Sequence, residues 1–306
     1  MSETHRTNVS KENSINRLII AFLGIVLSIE TVYAESIPSK CFPIPLSGGL
    51  VVMVPVKSIG FTPDQRLIAD KIISVFENNT TALAYGYAEH IVSDQHGITA
   101  GRAGFTSATG DMLMVIERYA ALKPEDNSLS QYIDELKRLE KIYIDNGYEL
   151  SSEGADVENL DGLIDAWKLS ADDALFRKIQ DEVVDELYFN PALEVARTTG
   201  AVLPITLLNI YDASIQHGIE GVRDIIDQIS PAQPKDGGDE IAWLKAFNEV
   251  RLDVMLNTIV DGEAIWKDTV YRQHELVDMI EERNYNLDPF TMIIEDWGNE
   301  VFELSR

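Results

Sequence analysis

Hydrophobic residues recur along most of the chain at the three- and four-residue spacing of amphipathic helices. The clearest helix start is the run Thr-Pro-Asp-Gln at 62–65, where Thr62 is an N-cap, Pro63 suits the first helical position and Gln65 closes a capping box. Apolar side chains then follow at helical spacing, at Leu67, Ile68, Ile72, Val75 and Phe76. This pattern predicts a helix that ends near residues 77–79.

A different pattern occupies residues 82–105. Two short runs rich in tyrosine, isoleucine, threonine and glycine, 85–92 and 98–104, flank the sequence Asp-Gln-His-Gly at 94–97. Such runs on either side of a turn sequence are typical of short paired strands. We therefore predict a small sheet or hairpin in this region.

Helical periodicity returns after residue 108 and continues to about residue 285. Proline and glycine residues such as Pro124, Gly200 and Gly218 divide this part of the chain. The predicted helices cover 109–122, 130–145, 157–169, 172–188, 191–199, 203–217, 219–229, 239–258 and 261–284. The sequence thus predicts an α+β fold, mainly α-helical, with two lobes around a cleft and the small β region beside it.

The amino-terminal residues have the order of a secretory signal. A polar segment with lysine and arginine (1–17) precedes an apolar run (18–29), and Ala34 ends a small-residue cleavage site. We expect a signal peptide over 1–34, secretion after cleavage near Ala34, and one catalytic domain over 35–306. The alternative is an uncleaved anchor. No other stretch is long and apolar enough to cross a membrane, so we expect the mature chain to have no membrane partner.

Acidic residues outnumber basic ones by two to one. The chain has 51 Asp and Glu against 25 Lys and Arg, which gives a net charge of −26. Proteins that bind nucleic acid or anionic membranes gain affinity from Lys and Arg, so the balance argues against both as partners. A negative surface instead attracts cationic solutes, unless the acid serves only solubility.

Cysteine and histidine give little support for a metal or disulfide framework. Cys41 is the single cysteine, and we interpret it as a small buried hydrophobe. His90, His96, His217 and His274 form neither an HxxxH nor an HExxH pair. We expect no metal and no cofactor.

Two carboxylates are candidates for acid–base chemistry. Glu77 lies at the carboxyl end of the first helix beside Phe76, where the helix dipole and an apolar neighbour favour the protonated carboxyl that a general acid requires. Asp94 follows seventeen positions later in the turn of the β region, where a returning strand could face it towards Glu77. Two carboxylates across a cleft are the machinery of glycoside hydrolysis. The simpler readings are a solvated acid at a helix end and an ordinary turn aspartate.

Several short strings, in order and at consistent spacing, resemble the family 46 chitosanases of the lysozyme-like superfamily. Each string is weak alone, and together they extend over about residues 62–290. They are Glu-Asn-Asn-Thr at 77–80, Asp-Gln-His-Gly-Ile-Thr at 94–99, Gly-x-x-Gly-Phe at 101–105, Thr-Gly-Asp-Met-Leu at 109–113, Tyr-Phe-Asn-Pro-Ala at 188–192, Tyr-Asp-Ala at 211–213, His-Gly at 217–218, Gly-Gly-Asp-Glu at 237–240, Arg251 and Met-Leu at 255–256.

This resemblance implies an endo-acting, inverting hydrolase of chitosan, with a lysozyme-like fold and a monomeric state. It implies Glu77 as general acid, Asp94 as general base and Thr99 as the residue that orients the water. The resemblance also assigns further residues: substrate contacts at Asp111, Glu240 and His96, and an internal ion-pair network that supports the base at Asp185, Arg251 and Arg223. Chitosan is a polycation near neutral pH, which suits the negative charge.

Two other functions are compatible with parts of this pattern. A muramidase or lytic transglycosylase would share the acid at the helix end, but its substrate is an anionic cell wall that a negative protein repels. A non-catalytic acidic binding protein would need neither the paired strings nor Thr99.

Overall fold

The computed structural model describes residues 41–45, 51–55, 59–92, 95–125, 127–260, 263–264 and 266–305. The predicted signal peptide and the boundary after Ala34 lie outside these residues and stay predictions. Contacts divide the chain into two units, Met1–Lys57 and Ser58–Arg306. In the first unit, strands β1 (Cys41–Pro45) and β2 (Val51–Pro55) form an antiparallel hairpin. The Cys41 side chain is outside the described residues, so its predicted burial stays a prediction.

The second unit is mainly helical. A π-helical turn, Asp185–Phe189, connects its fifth and sixth helices. The α-helices are α1 Pro63–Asn78, α2 Asp111–Leu122, α3 Ile133–Asp145, α4 Leu163–Ser170, α5 Ala174–Val184, α6 Asn190–Thr199, α7 Pro204–Asp227, α8 Glu240–Asn257 and α9 Tyr271–Glu281. None of the helices in the described part of the chain is long and apolar enough to cross a membrane.

Helix α1 begins and ends as its sequence predicts. The Thr62 hydroxyl accepts a hydrogen bond from Gln65 N at 3.2 Å, and the Gln65 side chain accepts one from Thr62 N at 2.9 Å, which completes the capping box. At the other end Asn79 adopts a left-handed conformation, and its N–H donates to the Val75 carbonyl. The apolar face of α1 is buried as far as Val75 and Phe76, and Glu77 is the first residue after them that is exposed.

The predicted β region is a three-stranded antiparallel sheet. Its strands are β3 (Ala88–His90), β4 (Ile98–Ala100) and β5 (Phe105–Thr106), in the order β3-β4-β5. Thr99 in the central strand pairs with Glu89 on one side and Thr106 on the other. Ile98 and Ala100 are buried, whereas Thr99 points to the opposite face.

Elsewhere the hydrophobic pattern predicted correctly that helices are present but placed some of their ends wrongly. The helix expected over 261–284 begins only at Tyr271, after strands β6 (Ile259–Val260) and β7 (Glu263–Ala264). The one expected over 157–169 begins at Leu163. Near the carboxyl end, strands β8 (Phe290–Ile294) and β9 (Glu300–Leu304) form a hairpin that the pattern did not predict.

A single core of buried side chains joins these elements. Trp167, Phe105 and Phe176 are fully buried, and the Trp167 ring packs against both phenylalanine rings. The Trp167 indole and the Gln180 amide both donate to the Tyr85 carbonyl, at 2.9 and 3.1 Å. These contacts fix the small sheet against α4 and α5, and so fix the position of Thr99.

Candidate active site

A cavity of about 350 Å³ lies between the end of α1, the sheet and the start of α2. Apolar groups on its wall include Ile91, Ala103 and Ile215, and Tyr188 adds a phenol. The polar side chains that line it are those of Glu77, His96, Thr99, Thr106, Thr109 and Asp111. Four residues singled out in the sequence are thus brought together: Glu77, Thr99, His96 and Asp111. Asp94 lies outside the described residues.

The Glu77 carboxylate begins a chain of buried ion pairs. Its Oε1 accepts a hydrogen bond from Arg272 Nη1 at 2.5 Å. Arg272 also pairs with Asp212 at 2.7 Å, and Asp212 pairs with Arg251 at 2.6 Å. Asp212 and Arg251 are fully buried and Arg272 is nearly so, and buried charges are tolerated only when they are paired in this way. The network ties Glu77 to α7, α8 and α9.

The protonation of two groups in this network follows from their neighbours. Burial alone would raise the pKa of Asp212, but the guanidinium groups of Arg272 and Arg251 outweigh it and hold that pKa below its ordinary value. Burial, together with Arg251, lowers the pKa of His217 to about 3. His217 is therefore neutral, and its Nε2 accepts a hydrogen bond from Arg251 Nε at 3.3 Å.

The predicted network of Asp185, Arg251 and Arg223 needs correction: it was expected to support the base, but among the described residues the buried network reaches Glu77, the residue predicted to be the acid. Arg251 lies in the buried network, but Asp185 pairs with Arg66 at 2.6 Å near the surface. Arg223 pairs with Glu220, one turn earlier on the exposed face of α7, and its side chain is 55% exposed. The structure does not place Arg223 in the internal network, because the buried face of this part of α7 consists of other residues, Val222, Ile225 and Ile226.

Asp212 and Arg272 are the members that sequence reasoning missed. Asp212 stands inside the matched Tyr-Asp-Ala string, which is a signal that could have found it. Arg272 reaches Glu77 across 195 positions of sequence and lies in no matched string. Its role is visible only once α9 is seen beside the end of α1.

Asp111 is fixed at the first position of α2. Its Oδ1 accepts hydrogen bonds from Thr106 N at 2.8 Å, Thr109 Oγ1 at 2.9 Å and Met112 N at 2.8 Å. Burial raises the pKa of Asp111, and these hydrogen bonds oppose that effect only in part. The carboxyl group is thus oriented rigidly at the cavity, where it can bind a cation or a hydroxyl group.

Glu240 has a different position from the one expected of a substrate contact. Its carboxylate accepts hydrogen bonds from Val202 N, Leu203 N and Thr206 Oγ1, the last at 2.7 Å. It therefore caps the start of α7, where unpaired backbone N–H groups favour an anion. Among the described residues it is not one that lines the cavity.

A third buried arginine joins the cavity wall to α1. Arg102 is 4% exposed and pairs with Asp70 of α1 at 2.8 Å and with Asp181 of α5 at 2.7 Å. Asn78, next to Glu77, donates to the Arg102 carbonyl at 3.4 Å. Since Ala103 and Gly104 line the cavity, these bonds hold the wall of the site at a fixed distance from the end of α1.

Glu77, at a helix end, lines one cavity together with hydroxyl groups and the carboxyl group of Asp111, and glycoside hydrolases use a carboxyl group placed in such a cavity as the general acid. Residues 71–290 match the model of glycosyl hydrolase family 46. A chitosanase of Bacillus subtilis (strain 168) is 37% identical over 263 residues, 83% of this chain and 91% of the relative. A chitosanase of Streptomyces sp. (strain N174) is 31% identical over 219 residues, 69% and 73%.

Solved structures of family 46 chitosanases are similar to this chain as well. A family 46 chitosanase of Gynuella sunshinyii, in complex with chitotetraose, is 41% identical with a TM-score of 0.69 and covers 81% of this chain and 100% of its own. A chitosanase of Bacillus subtilis MY002, in complex with 6 GlcN, is 36% identical with a TM-score of 0.70 and covers 80% and 100%. The chain belongs to glycosyl hydrolase family 46. The resemblance, the mainly helical lysozyme-like fold and the enzyme class are confirmed.

Proposed function

We propose that this protein is a secreted, endo-acting chitosanase that hydrolyses β-1,4 bonds between glucosamine units with inversion of configuration. The observation that carries the proposal is the cavity that Glu77, Thr99 and Asp111 line together. The names of the relatives and the chito-oligosaccharides bound by two of the solved structures support the substrate. The proposal takes the mature chain to begin after Ala34 and to act as a monomer.

In the proposed mechanism Glu77 carries its proton on Oε2, since Oε1 accepts from Arg272, and donates it to the oxygen of the scissile bond, which leaves with the bonding electron pair. Asp94 takes a proton from a water molecule, whose oxygen attacks the anomeric carbon from the opposite face. The Thr99 hydroxyl orients this water. Inverting enzymes leave about 6.5–9.5 Å between the two carboxyl groups for the water. Ile91 and His96, which lie three residues before and two residues after Asp94 in the sequence, line the cavity, and this supports the assignment of Asp94 as the base.

Charge supports an amino sugar as the substrate. Asp111 presents an oriented carboxyl group to the cavity, where an ammonium group of glucosamine can bind, and His96 adds a second polar contact. Glu240 is committed to the start of α7, so we do not assign it to substrate. An anionic cell wall would be repelled by the net charge of −26, which disfavours the muramidase alternative.

The test compares reducing-end release from chitosan, chitin and peptidoglycan by the wild type, Glu77→Gln and Asp94→Asn. Each variant should lose at least about a hundredfold in rate on chitosan, since general acid–base groups contribute that much or more. Glu281→Gln is a matched control, because Glu281 also ends a helix and pairs with a cation, Lys245, at 2.6 Å. We expect it to keep full activity.

The first product resolved by NMR should be the α anomer. Near-wild-type activity of Glu77→Gln or Asp94→Asn would refute the assignment of that residue. A β anomer would refute inversion, and faster release from peptidoglycan than from chitosan would refute the substrate.

A further inference from the structure

The hydroxyl of Tyr271 holds the backbone immediately before Glu77. It donates a hydrogen bond to the Phe76 carbonyl at 2.8 Å, and the tyrosine is only 7% exposed. The last carbonyls of a helix have no partner within the helix. At the end of α1, the Val75 carbonyl is satisfied by Asn79 N, and the next carbonyl, that of Phe76, receives the tyrosine hydroxyl.

Tyr271 acts beside Arg272, the next residue of α9. Arg272 binds the Glu77 carboxylate, so two consecutive residues hold both the side chain of Glu77 and the peptide group that precedes it. The Phe76 ring contacts both residues, at 6.1 Å from the Tyr271 ring and 5.4 Å from the Arg272 guanidinium. The last turn of α1 is thus fixed from the α9 side at three points.

The Tyr271 ring is in turn held by the carboxyl-terminal hairpin. The Trp297 ring lies 4.5 Å from it, and Phe302 of β9 lies 6.2 Å from Trp297. Burial raises the pKa of Tyr271 to about 12, so the hydroxyl keeps its proton and remains a donor throughout the working pH range.

We propose that Tyr271 is a positioning residue for the catalytic acid: its hydroxyl fixes the last turn of α1 and thereby aims the Glu77 carboxyl at the scissile oxygen. The proposal rests on the function proposed above, in which Glu77 is the acid. Proton donation depends on hydrogen-bond reach between the acid and the leaving oxygen, whereas binding of the polymer is spread over many contacts. Loss of the hydroxyl should therefore lower kcat and leave KM unchanged.

Tyr271→Phe tests this, with Tyr132→Phe as a matched control. Tyr132 is also 7% exposed, and its hydroxyl also donates to a backbone carbonyl, that of Asp161, at 2.8 Å. Neither Tyr132 nor Asp161 lines the cavity. Both variants should lose a similar amount of thermal stability. Only Tyr271→Phe should lower kcat, by roughly three- to tenfold at unchanged KM, if the energy of one buried hydrogen bond is lost from the transition state.

A substrate with a better leaving group separates positioning from folding. On an aryl chito-oligosaccharide, whose leaving group needs little protonation, the kcat defect of Tyr271→Phe should shrink. An equal defect on both substrates, or equal kcat values for Tyr271→Phe and Tyr132→Phe, would overturn the proposal. Glu77→Gln is measured in parallel: if it keeps activity, the proposed function itself fails, whereas an inactive Glu77→Gln with a fully active Tyr271→Phe refutes only the role of Tyr271.

Discussion

His217 illustrates how surroundings set the behaviour of a single side chain in this protein. It packs edge-to-face against Trp266, with ring centroids 4.4 Å apart, and accepts a hydrogen bond from Arg251. Arg272 also disfavours its protonation, and the Asp212 carboxylate compensates only in part. With its pKa lowered to about 3, His217 is a neutral acceptor inside a charged network and not a titrating group near pH 7.

This predicts how stability depends on pH. The unfolded chain protonates His217 below its ordinary pKa of 6.5, whereas the folded protein does so only near 3, so the stabilising contribution is complete above pH 6.5 and declines as the pH falls. Between neutral pH and pH 5 the decline is up to about 2 kcal/mol. Urea unfolding of wild type and His217→Gln at both pH values measures it, since glutamine can still accept from Arg251.

The variant should show a smaller loss of unfolding free energy towards pH 5 than the wild type. Because every other titrating group is common to the two proteins, the difference between the two pH slopes belongs to His217. Parallel slopes would contradict the predicted shift.

At the scale of elements, α7 contains a break that the sequence anticipated. Gly218 has φ 70° and ψ 166°, a conformation essentially confined to glycine. The helices predicted over 203–217 and 219–229 therefore exist, joined end to end in Pro204–Asp227. The break directly follows Gln216 and His217, both of which contact Arg251, so it ends the segment that lines the buried network.

Replacing this glycine should cost stability through the backbone alone. No heavy atom lies within 4 Å of where a Cβ of residue 218 would be, so Gly218→Ala creates no clash, and we expect a loss of about 1–3 kcal/mol from the forbidden conformation. Gly237 is a control that is equally open but lies at φ 88° and ψ 10°, close to the left-handed helical region. Gly237→Ala should lose only about 1 kcal/mol. Chemical denaturation of both variants tests the ranking, and equal losses would contradict it.

Local chemistry explains which elements the sequence could predict. The capping box at Thr62 and the break at Gly218 depend on a few neighbouring residues, so both could be predicted from the sequence. The apolar spacing that follows Thr62 also predicted that Glu77 lies at the end of its helix. The start of α9 could not be predicted in this way. Apolar residues keep helical spacing through residues 261–270, but this segment contains β7 and a 3₁₀ turn, Lys267–Thr269. Arg223 and Arg251 look alike in sequence, and only burial decides which of them joins the network.

At the scale of the whole molecule, the site shows how the net charge of −26 can act on a substrate. Asp111 and Glu77 line the cavity, whereas most of the other acids among the described residues are exposed on the surface and act at a distance. Their summed potential raises the local concentration of a cationic polymer and accelerates encounter, without contributing to the chemical step.

Salt should therefore lower kcat/KM on chitosan and leave kcat nearly unchanged. Raising ionic strength from 0.1 to 1 M shortens the screening length from about 10 to about 3 Å, which removes the long-range attraction. Chitohexaose carries fewer charges than the polymer, so its kcat/KM should fall less steeply. Initial rates at subsaturating and saturating substrate over a NaCl series measure both effects, and identical salt dependence for the two substrates would count against steering.

The central strand of the sheet constrains how this region can vary among relatives. Thr99 faces the cavity only because it lies between buried Ile98 and Ala100, and displacement by one position would turn its hydroxyl into the core. A Cβ on Gly101 would lie 2.5 Å from the Gln180 side chain and 2.8 Å from Phe105 and Trp167, so the turn after β4 has no room for a side chain at this position. Evolution can therefore substitute residues of β4 more readily than it can insert or delete them, whereas Gly101 in the turn should be kept, so length and this glycine should be the most uniform properties of the segment.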